Sequence, residues 1–216
     1  MFHSNLAVPA RPVSAVITIA LIVAFALPVA GWLVPGNSSA ATMGREAVYW
    51  FMAIAVLAYV LLVERRPLAS IGFGRFTGAS IGYGVAGAAC AYAGMALLYV
   101  FVLPHVPGVY VEKTASLLAL PAGLRVEIVL RAAIFEEIFY RGFIIERLAP
   151  MLRSREAAAL LSLCVFIAGH IGYWGWGSLF MAGFGGAVLT GLYLWRRDLF
   201  ANIIAHGLTD AAALLT

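Results

Sequence analysis

The segment 124-LRVEIVLRAAIFEEIFYRGFII-145 is apolar over most of its length and carries ionisable residues at its centre. A helix needs roughly 20 residues to cross the hydrocarbon of a bilayer, so this segment has the length of a membrane span. Charges in hydrocarbon are costly unless they are paired or hydrated, and residues such as Glu136, Glu137 and Arg141 are therefore candidates for a functional site. The segment predicts a membrane helix that contains functional residues.

The composition of the whole chain supports a membrane location. Of the 216 residues, 63% are hydrophobic and 11% are charged, whereas soluble domains are about half apolar and about a quarter charged. The apolar residues form long blocks and do not alternate with polar ones, which excludes a porin-type barrel. The predicted fold class is all-α: a polytopic transmembrane helical bundle that forms a single integral membrane domain over residues 1–216.

Seven blocks have nearly the length of a membrane span, and Gly, Pro and charged residues separate them. An additional short helix is expected around residues 114–122, which would make eight helices. The first block exceeds the ~7–15 apolar residues of a signal peptide, so we expect it to be retained. The blocks are 13–35, 47–63, 79–103, 124–145, 157–173, 178–195 and 199–215.

The basic residues orient this bundle, because short loops rich in Arg and Lys stay on the cytoplasmic side. With a cytoplasmic N-terminus, most Arg residues outside the fourth block fall on the inner side. We therefore predict an integral protein of the bacterial inner membrane with its N-terminus inside. The net charge of +4 then reflects topology and attraction to anionic lipid. Nucleic acid is therefore not an expected partner. A nucleotide is not expected either, since no glycine-rich phosphate loop follows a strand.

The two cysteines indicate neither a disulfide framework nor a cysteine metal site. Cys90 and Cys164 lie inside apolar blocks and have no CxxC spacing. Free cysteines often behave as small buried apolar residues. We expect both to belong to the core.

The fourth block contains two acid–base pairs at helical spacing. Glu127 with Arg131, and Glu137 with Arg141, are spaced i to i+4 with the acid first, so each is expected to form an ion pair on one helix face. The first pair is interpreted as structural and the second as a buried brace. Glu136 has no basic residue four positions away. An unpaired buried carboxylate of this kind is a candidate general base.

Further polar residues lie at mid-membrane depth in later blocks. The fifth block ends near His170, and the seventh contains Asn202, His206 and Asp210, with Asp210 one turn after His206. A site shared with Glu136 can act in two ways: Glu136, His170 and His206 can bind zinc, or Glu136 can deprotonate a water while the imidazoles assist. The HExxH spacing of many zinc peptidases is absent from the sequence, and both alternatives stay open.

Three motifs in this order resemble the CAAX prenyl protease and bacteriocin-processing family (CPBP, also called Abi) of intramembrane proteases. They are EEIFYRG at 136–142, FIAGH at 166–170 and HGLTD at 206–210. The resemblance covers residues 124–215, which would hold the catalytic motifs, and ERRPLASIGFGR at 64–75 is similar to the start of the family's third helix.

The resemblance implies an all-helical membrane endopeptidase. It assigns Glu136 to the activation of water with His170 as its partner, and it assigns His206 and Asp210 to the scissile carbonyl and its oxyanion. Glu137 and Arg141 would be the structural support for these residues.

The third motif departs from the eukaryotic pattern, which usually ends in Asn where this chain has Asp210. An ionised Asp cannot donate a hydrogen bond to an oxyanion. Asp210 would therefore be protonated, orient His206 or bind a metal, and the family has been described both as metal-dependent and as glutamate-based.

The implied partners are the lipid bilayer and a membrane-associated peptide or protein substrate. Eukaryotic members remove the last three residues of prenylated CAAX proteins, while a bacterial member would act in peptide maturation, bacteriocin self-immunity or trimming of membrane-anchored tails. Small residues in the third and sixth blocks also fit a non-catalytic membrane scaffold or bacteriocin-immunity protein. A proton-coupled transporter would use the same buried carboxylate, but the sequence shows no related halves.

Overall fold

The computed structural model describes residues 33–36, 38–106 and 111–215, and this part of the chain is helical and contains no β-strand. A π-helical turn, Tyr59–Val63, extends α1, and a longer π-helical segment, Ala132–Ile145, joins α4 to α5. Short 3-10 helices occupy Leu68–Ile71 and Leu103–His105. The α-helices are α1 (Ser39–Ala58), α2 (Gly78–Phe101), α3 (Val111–Leu118), α4 (Ala122–Arg131), α5 (Glu146–Leu152), α6 (Arg155–Trp174), α7 (Ser178–Arg196) and α8 (Leu199–Leu214).

The all-α prediction is confirmed, whereas the count of seven spans is not. Within the described residues, three helical stretches are long and apolar enough to cross a membrane: Ser39–Val63, Gly78–His105 and Ser178–Arg196. α8 is a shorter apolar helix. The predicted first span, 13–35, lies almost entirely outside the described residues. The apolar helices are those of a membrane protein, and the orientation of its N-terminus stays a prediction.

Polar side chains fix where four of the helices begin. Ser38 and Ser154 precede α1 and α6, and the hydroxyl of each accepts a hydrogen bond from a backbone N–H of the first turn. Thr77 forms a capping box at the start of α2. The Asp198 carboxylate accepts from two backbone N–H groups of α8. These contacts satisfy N–H groups that have no partner within the helix.

The π-helical segment Ala132–Ile145 is the centre of the bundle. All of its residues except Ile134 are buried, and it packs against α1, α6 and α8. Phe135, Phe139 and Phe143 stack along one face, with ring centroids 6.1 and 6.4 Å apart. The segment that carries Glu136 and Glu137 is therefore held on several sides by other helices.

The cysteine prediction is wrong, because Cys90 and Cys164 are both exposed on the surface of the bundle. α2 buries only a narrow stripe of its residues, formed by Ser80, Gly84, Ala88 and Ala91. Many of its other apolar side chains, such as Val85 and Leu97, are exposed. An apolar membrane segment has no polar face that would reveal its orientation, so the sequence could not tell core from lipid-facing positions.

Close packing between α2 and α8 yields a stability prediction. A Cβ added to Gly84 would lie 2.7 Å from the Cβ of Ile204 and 3.0 Å from the Ala201 carbonyl oxygen. We expect Gly84→Ala to destabilise the protein by about 1–3 kcal/mol, because α2 and α8 must move apart. Thermal unfolding in detergent measures this change.

Gly82→Ala is the matched control on the same helix. A Cβ at Gly82 meets no atom of the described residues within 4 Å, and Ala favours the helix by up to about 1 kcal/mol relative to Gly. Equal unfolding temperatures for Gly84→Ala and Gly82→Ala would show that the described α2–α8 contact is not tight.

Candidate active site

Three helical segments bring the predicted site residues together. Glu136 and Glu137 lie on Ala132–Ile145, His170 lies in the last turns of α6, and His206 and Asp210 lie on α8. The Glu136 Oε2 atom is 3.9 Å from His170 Nε2 and 4.0 Å from His206 Nε2. Residues that are far apart in sequence therefore meet around one carboxylate oxygen.

Glu137 is the most thoroughly bonded carboxylate of the site. Its Oε1 atom accepts a hydrogen bond from Arg141 Nη1 at 2.7 Å and lies 2.9 Å from His206 Nδ1. Its Oε2 atom accepts from Asn202 Nδ2 at 3.0 Å. Arg141 also donates to the Gly186 carbonyl oxygen on α7 at 3.0 Å. The ion pair expected from the i to i+4 spacing is present and ties the central segment to α7 and α8.

Asn202 adds a contact to which sequence reasoning assigned no role. Its Nδ2 atom donates to Glu137 and also to the Leu189 carbonyl oxygen, at 2.7 Å. Asn202 and His206 lie one turn apart on α8, so both reach the same carboxylate. The four-residue spacing of Asn202 and His206 was visible in the sequence, but it did not show that both side chains contact Glu137.

Glu136 differs from its neighbour because only one of its oxygens is bonded. Oε1 lies 3.3 Å from Arg131 Nη1. Oε2 is buried and has no hydrogen-bond partner among the described residues. Only 5% of this side chain is exposed. One oxygen is thus anchored by a cation, while the other faces the two histidines.

The predicted ion pair between Glu127 and Arg131 is wrong. Arg131 contacts Glu136 and Glu46 instead, and Glu127 accepts a hydrogen bond from the Trp50 indole at 2.7 Å. Glu127 and Arg131 keep α-helical spacing within α4, but the backbone changes to π-helical bonding, i to i+5, directly after Arg131. Residues five apart then come close, and Glu136 gains the cation that an α-helical register denied it.

Glu46 was missed because the predicted second block begins at residue 47, which placed this acid in a loop. In the structure α1 begins eight positions earlier, at Ser39, and the Glu46 side chain is buried against Arg131. An acid inside a membrane helix signals function or pairing. A correct helix boundary would therefore have drawn attention to it.

The hydrogen bonds of the two histidines define which ring nitrogen faces Glu136. His170 Nδ1 lies 2.9 Å from the Phe166 carbonyl oxygen, which can only accept, so Nδ1 carries the hydrogen. His206 Nδ1 lies against Glu137, which accepts in the same way because Arg141 compensates its charge. In both rings Nε2 faces Glu136, and in His206 it also lies near Asp210.

Asp210 lies beside His206 at the more open side of the site. Its Oδ2 atom is 3.5 Å from His206 Nε2, and 32% of its side chain is exposed. The spacing agrees with the expected helical turn between them. The distance suits an acid that orients the imidazole, which is one of the three roles left open by the sequence.

The zinc alternative stays a prediction. Among the described residues, no group of three or more His, Cys, Asp or Glu side chains is arranged to hold a metal ion. Glu136, His170 and His206 converge, but Arg131 lies against the same carboxylate. The mechanism proposed below uses the protein's own groups.

Comparison with known proteins identifies the part of the chain that holds this site. Residues 119–212 match the family model described as type II CAAX prenyl endopeptidase Rce1-like. No curated protein and no solved structure matches the chain. The matched range includes all three motifs and agrees with the predicted 124–215, whereas residues 64–75 lie outside it. The resemblance to CPBP proteases is confirmed over residues 119–212, the part of the chain that matches the Rce1-like family model.

Proposed function

We propose that this protein is an intramembrane endopeptidase that hydrolyses a peptide bond of a membrane-associated substrate with water activated by Glu136 and His170. The observation that carries the proposal is the free, buried Oε2 atom of Glu136 facing two imidazole Nε2 atoms. Separations of 3.9 and 4.0 Å exceed a direct hydrogen bond, yet one water oxygen can contact both groups. The Rce1-like domain supports the same reaction class.

In the first step, the water between Glu136 and His170 attacks the scissile carbonyl carbon. The water oxygen forms the new C–O bond while its proton passes to Glu136 Oε2, and the carbonyl π electrons move onto oxygen. A neutral His170 accepts the second hydrogen bond of the water at Nε2 and orients its lone pair. The product of this step is a tetrahedral oxyanion.

The second step needs a donor for that oxyanion, and we assign this role to His206. Glu137 holds Nδ1 on one side of the ring, and Asp210 lies near Nε2 on the other. A protonated Nε2–H donates to the oxyanion. When the intermediate collapses, the C–N bond breaks and the amine takes the proton from Glu136. The products are a carboxylic acid and an amine, and the protein returns to its starting state.

The substrate is proposed to carry an apolar segment or lipid. An apolar groove runs between α8 and the helix formed by α4 and the segment Ala132–Ile145. Ile204, Gly207 and Leu208 contribute to its lining. A lipid chain or a membrane-spanning peptide suits such a surface. We also propose that the protein resides in the bacterial inner membrane.

Glu136→Gln should abolish cleavage without unfolding the protein. The amide has the same shape but cannot take the proton of the attacking water, and we expect kcat to fall by about 10³-fold. The measurement is cleavage in proteoliposomes, followed by mass spectrometry, of a farnesylated CAAX peptide and of the same peptide without lipid. His170→Ala should reduce kcat by about 10²-fold.

Glu127→Gln is the matched control. Glu127 lies on α4, which continues into the segment that carries Glu136, and it contacts Trp50 outside the site. It should keep the wild-type kcat. Full activity of Glu136→Gln would contradict the proposal. A folded wild-type protein that cleaves neither peptide would instead favour the non-catalytic scaffold.

Glu137→Ala should act on stability. The change leaves the buried Arg141 guanidinium without its counterion and deprives His206 and Asn202 of an acceptor. Loss of one partner from a buried ion pair costs about 3–5 kcal/mol. We expect a markedly lower unfolding temperature in detergent than for Glu136→Gln. If both variants unfold at the wild-type temperature, the Glu137 contacts do not stabilise the bundle.

A further inference from the structure

Arg131 lies between two buried carboxylates that belong to different helices. Its Nε atom donates to Glu46 Oε2 at 2.5 Å, and its Nη2 atom donates to Glu46 Oε1 at 3.2 Å. Its remaining nitrogen, Nη1, lies 3.3 Å from Glu136 Oε1. At most 8% of any of the three side chains is exposed. One guanidinium therefore joins α1 to the proposed general base.

The two bonds that Arg131 donates to Glu46 determine where its third nitrogen points. A guanidinium is planar and rigid, so a two-point contact through Nε and Nη2 fixes its plane and leaves Nη1 in one direction. The Tyr49 ring, 4.5 Å from Arg131 Cζ, covers one face of that plane. The position of Nη1 is thus set by α1 and not by the helix that carries Arg131.

A fixed Nη1 selects one orientation of Glu136. When Oε1 is held by Arg131, the other oxygen of the same carboxylate points to the Nε2 atoms of His170 and His206. Without that contact, the carboxylate could rotate about its last side-chain bond, a torsion with a broad preference. Misplacement of a reacting group by about 1 Å can cost 10²-fold in rate.

We propose that Glu46 and Arg131 are positioning residues for the reaction: Glu46 orients Arg131, and Arg131 holds Glu136 Oε1 so that Oε2 faces the water. This inference rests on the proposed function. It extends the site to α1, outside the residues that match the Rce1-like family. Neither residue touches the reacting atoms, so both act through Glu136.

A purely structural bridge between α1 and α4 is the competing explanation. The same two helices are already joined by the Trp50–Glu127 hydrogen bond at 2.7 Å, which does not reach Glu136. This second bridge supplies a matched control. If the two bridges only hold α1 against α4, weakening either one should change kcat and the unfolding temperature to the same extent.

The test compares Glu46→Gln, Arg131→Lys and Arg131→Met with Glu127→Gln and Glu136→Gln in proteoliposomes. The probe is the farnesylated or unlipidated CAAX peptide, whichever the wild type cleaves. We expect Arg131→Met to lower kcat by about 100-fold with little change in KM. Arg131→Lys should be intermediate, because an ammonium cannot bond both carboxylates in a fixed plane. Glu46→Gln should lower kcat by about tenfold, since the amide oxygen still accepts one bond from Arg131 while the amide NH2 group cannot accept the other.

The double variant Glu46→Gln/Arg131→Met separates positioning from docking. If Glu46 acts only through Arg131, the double variant should be no slower than Arg131→Met alone. Unfolding temperatures are measured for every variant, and if Arg131→Met does not fold, Arg131→Lys and Glu46→Gln decide the question.

Three results would overturn the inference, and they are distinguishable. If Glu136→Gln is inactive while the Glu46 and Arg131 variants keep the wild-type kcat, the proposed function stands and the positioning role is wrong. The same holds if Glu127→Gln lowers kcat as much as they do. An active Glu136→Gln removes the proposed function, and the positioning role with it.

Discussion

A buried carboxylate that needs compensation organises this bundle. Glu137 is fully enclosed, and a charge in such a place is tolerated only when hydrogen bonds and a counterion surround it. Arg141, Asn202 and His206 meet that need from the central segment and from α8. The same contacts determine where α8 lies and which nitrogen of His206 faces inward. The contacts that stabilise the buried Glu137 thus also position His206, which the proposed reaction uses.

The neighbouring Glu136 shows how one change of backbone geometry separates two adjacent acids. The i to i+5 bonding that begins after Arg131 aligns Glu136 with that residue, while Glu137 pairs with Arg141 four positions later. One acid has both oxygens bonded and the other keeps Oε2 free within the described residues. Two chemically identical side chains therefore have different environments, which is the condition for different roles. π-helical turns occur frequently at functional sites, and here the turn sets the partner of the proposed base.

Much of the site could be predicted because membrane helices make polar residues conspicuous. Glu136, Glu137, His170 and His206 stand out in apolar blocks, and helical periodicity linked Glu137 to Arg141 and His206 to Asp210. What failed depended on geometry that spacing does not encode. Spacing for an α-helix predicted that Arg131 pairs with Glu127, so the contact of Arg131 with Glu136 was not predicted. The predicted second block began at residue 47, after Glu46, so this acid was not recognised as part of a helix. The block around Cys90 is apolar on all sides, so the sequence did not show which way Cys90 faces. The Rce1-like match over residues 119–212 covers the motifs but not the α1 contribution.

The central claim is that Glu136 takes a proton from water and does not itself attack the substrate. Turnover in water labelled with heavy oxygen, followed by mass spectrometry of the products and of the digested protein, tests this most directly. Direct attack by water places one heavy oxygen in the new carboxyl group of the product and leaves Glu136 unlabelled after many turnovers. Heavy oxygen in the peptide that contains Glu136 would reveal a covalent anhydride at this carboxylate and would contradict the account.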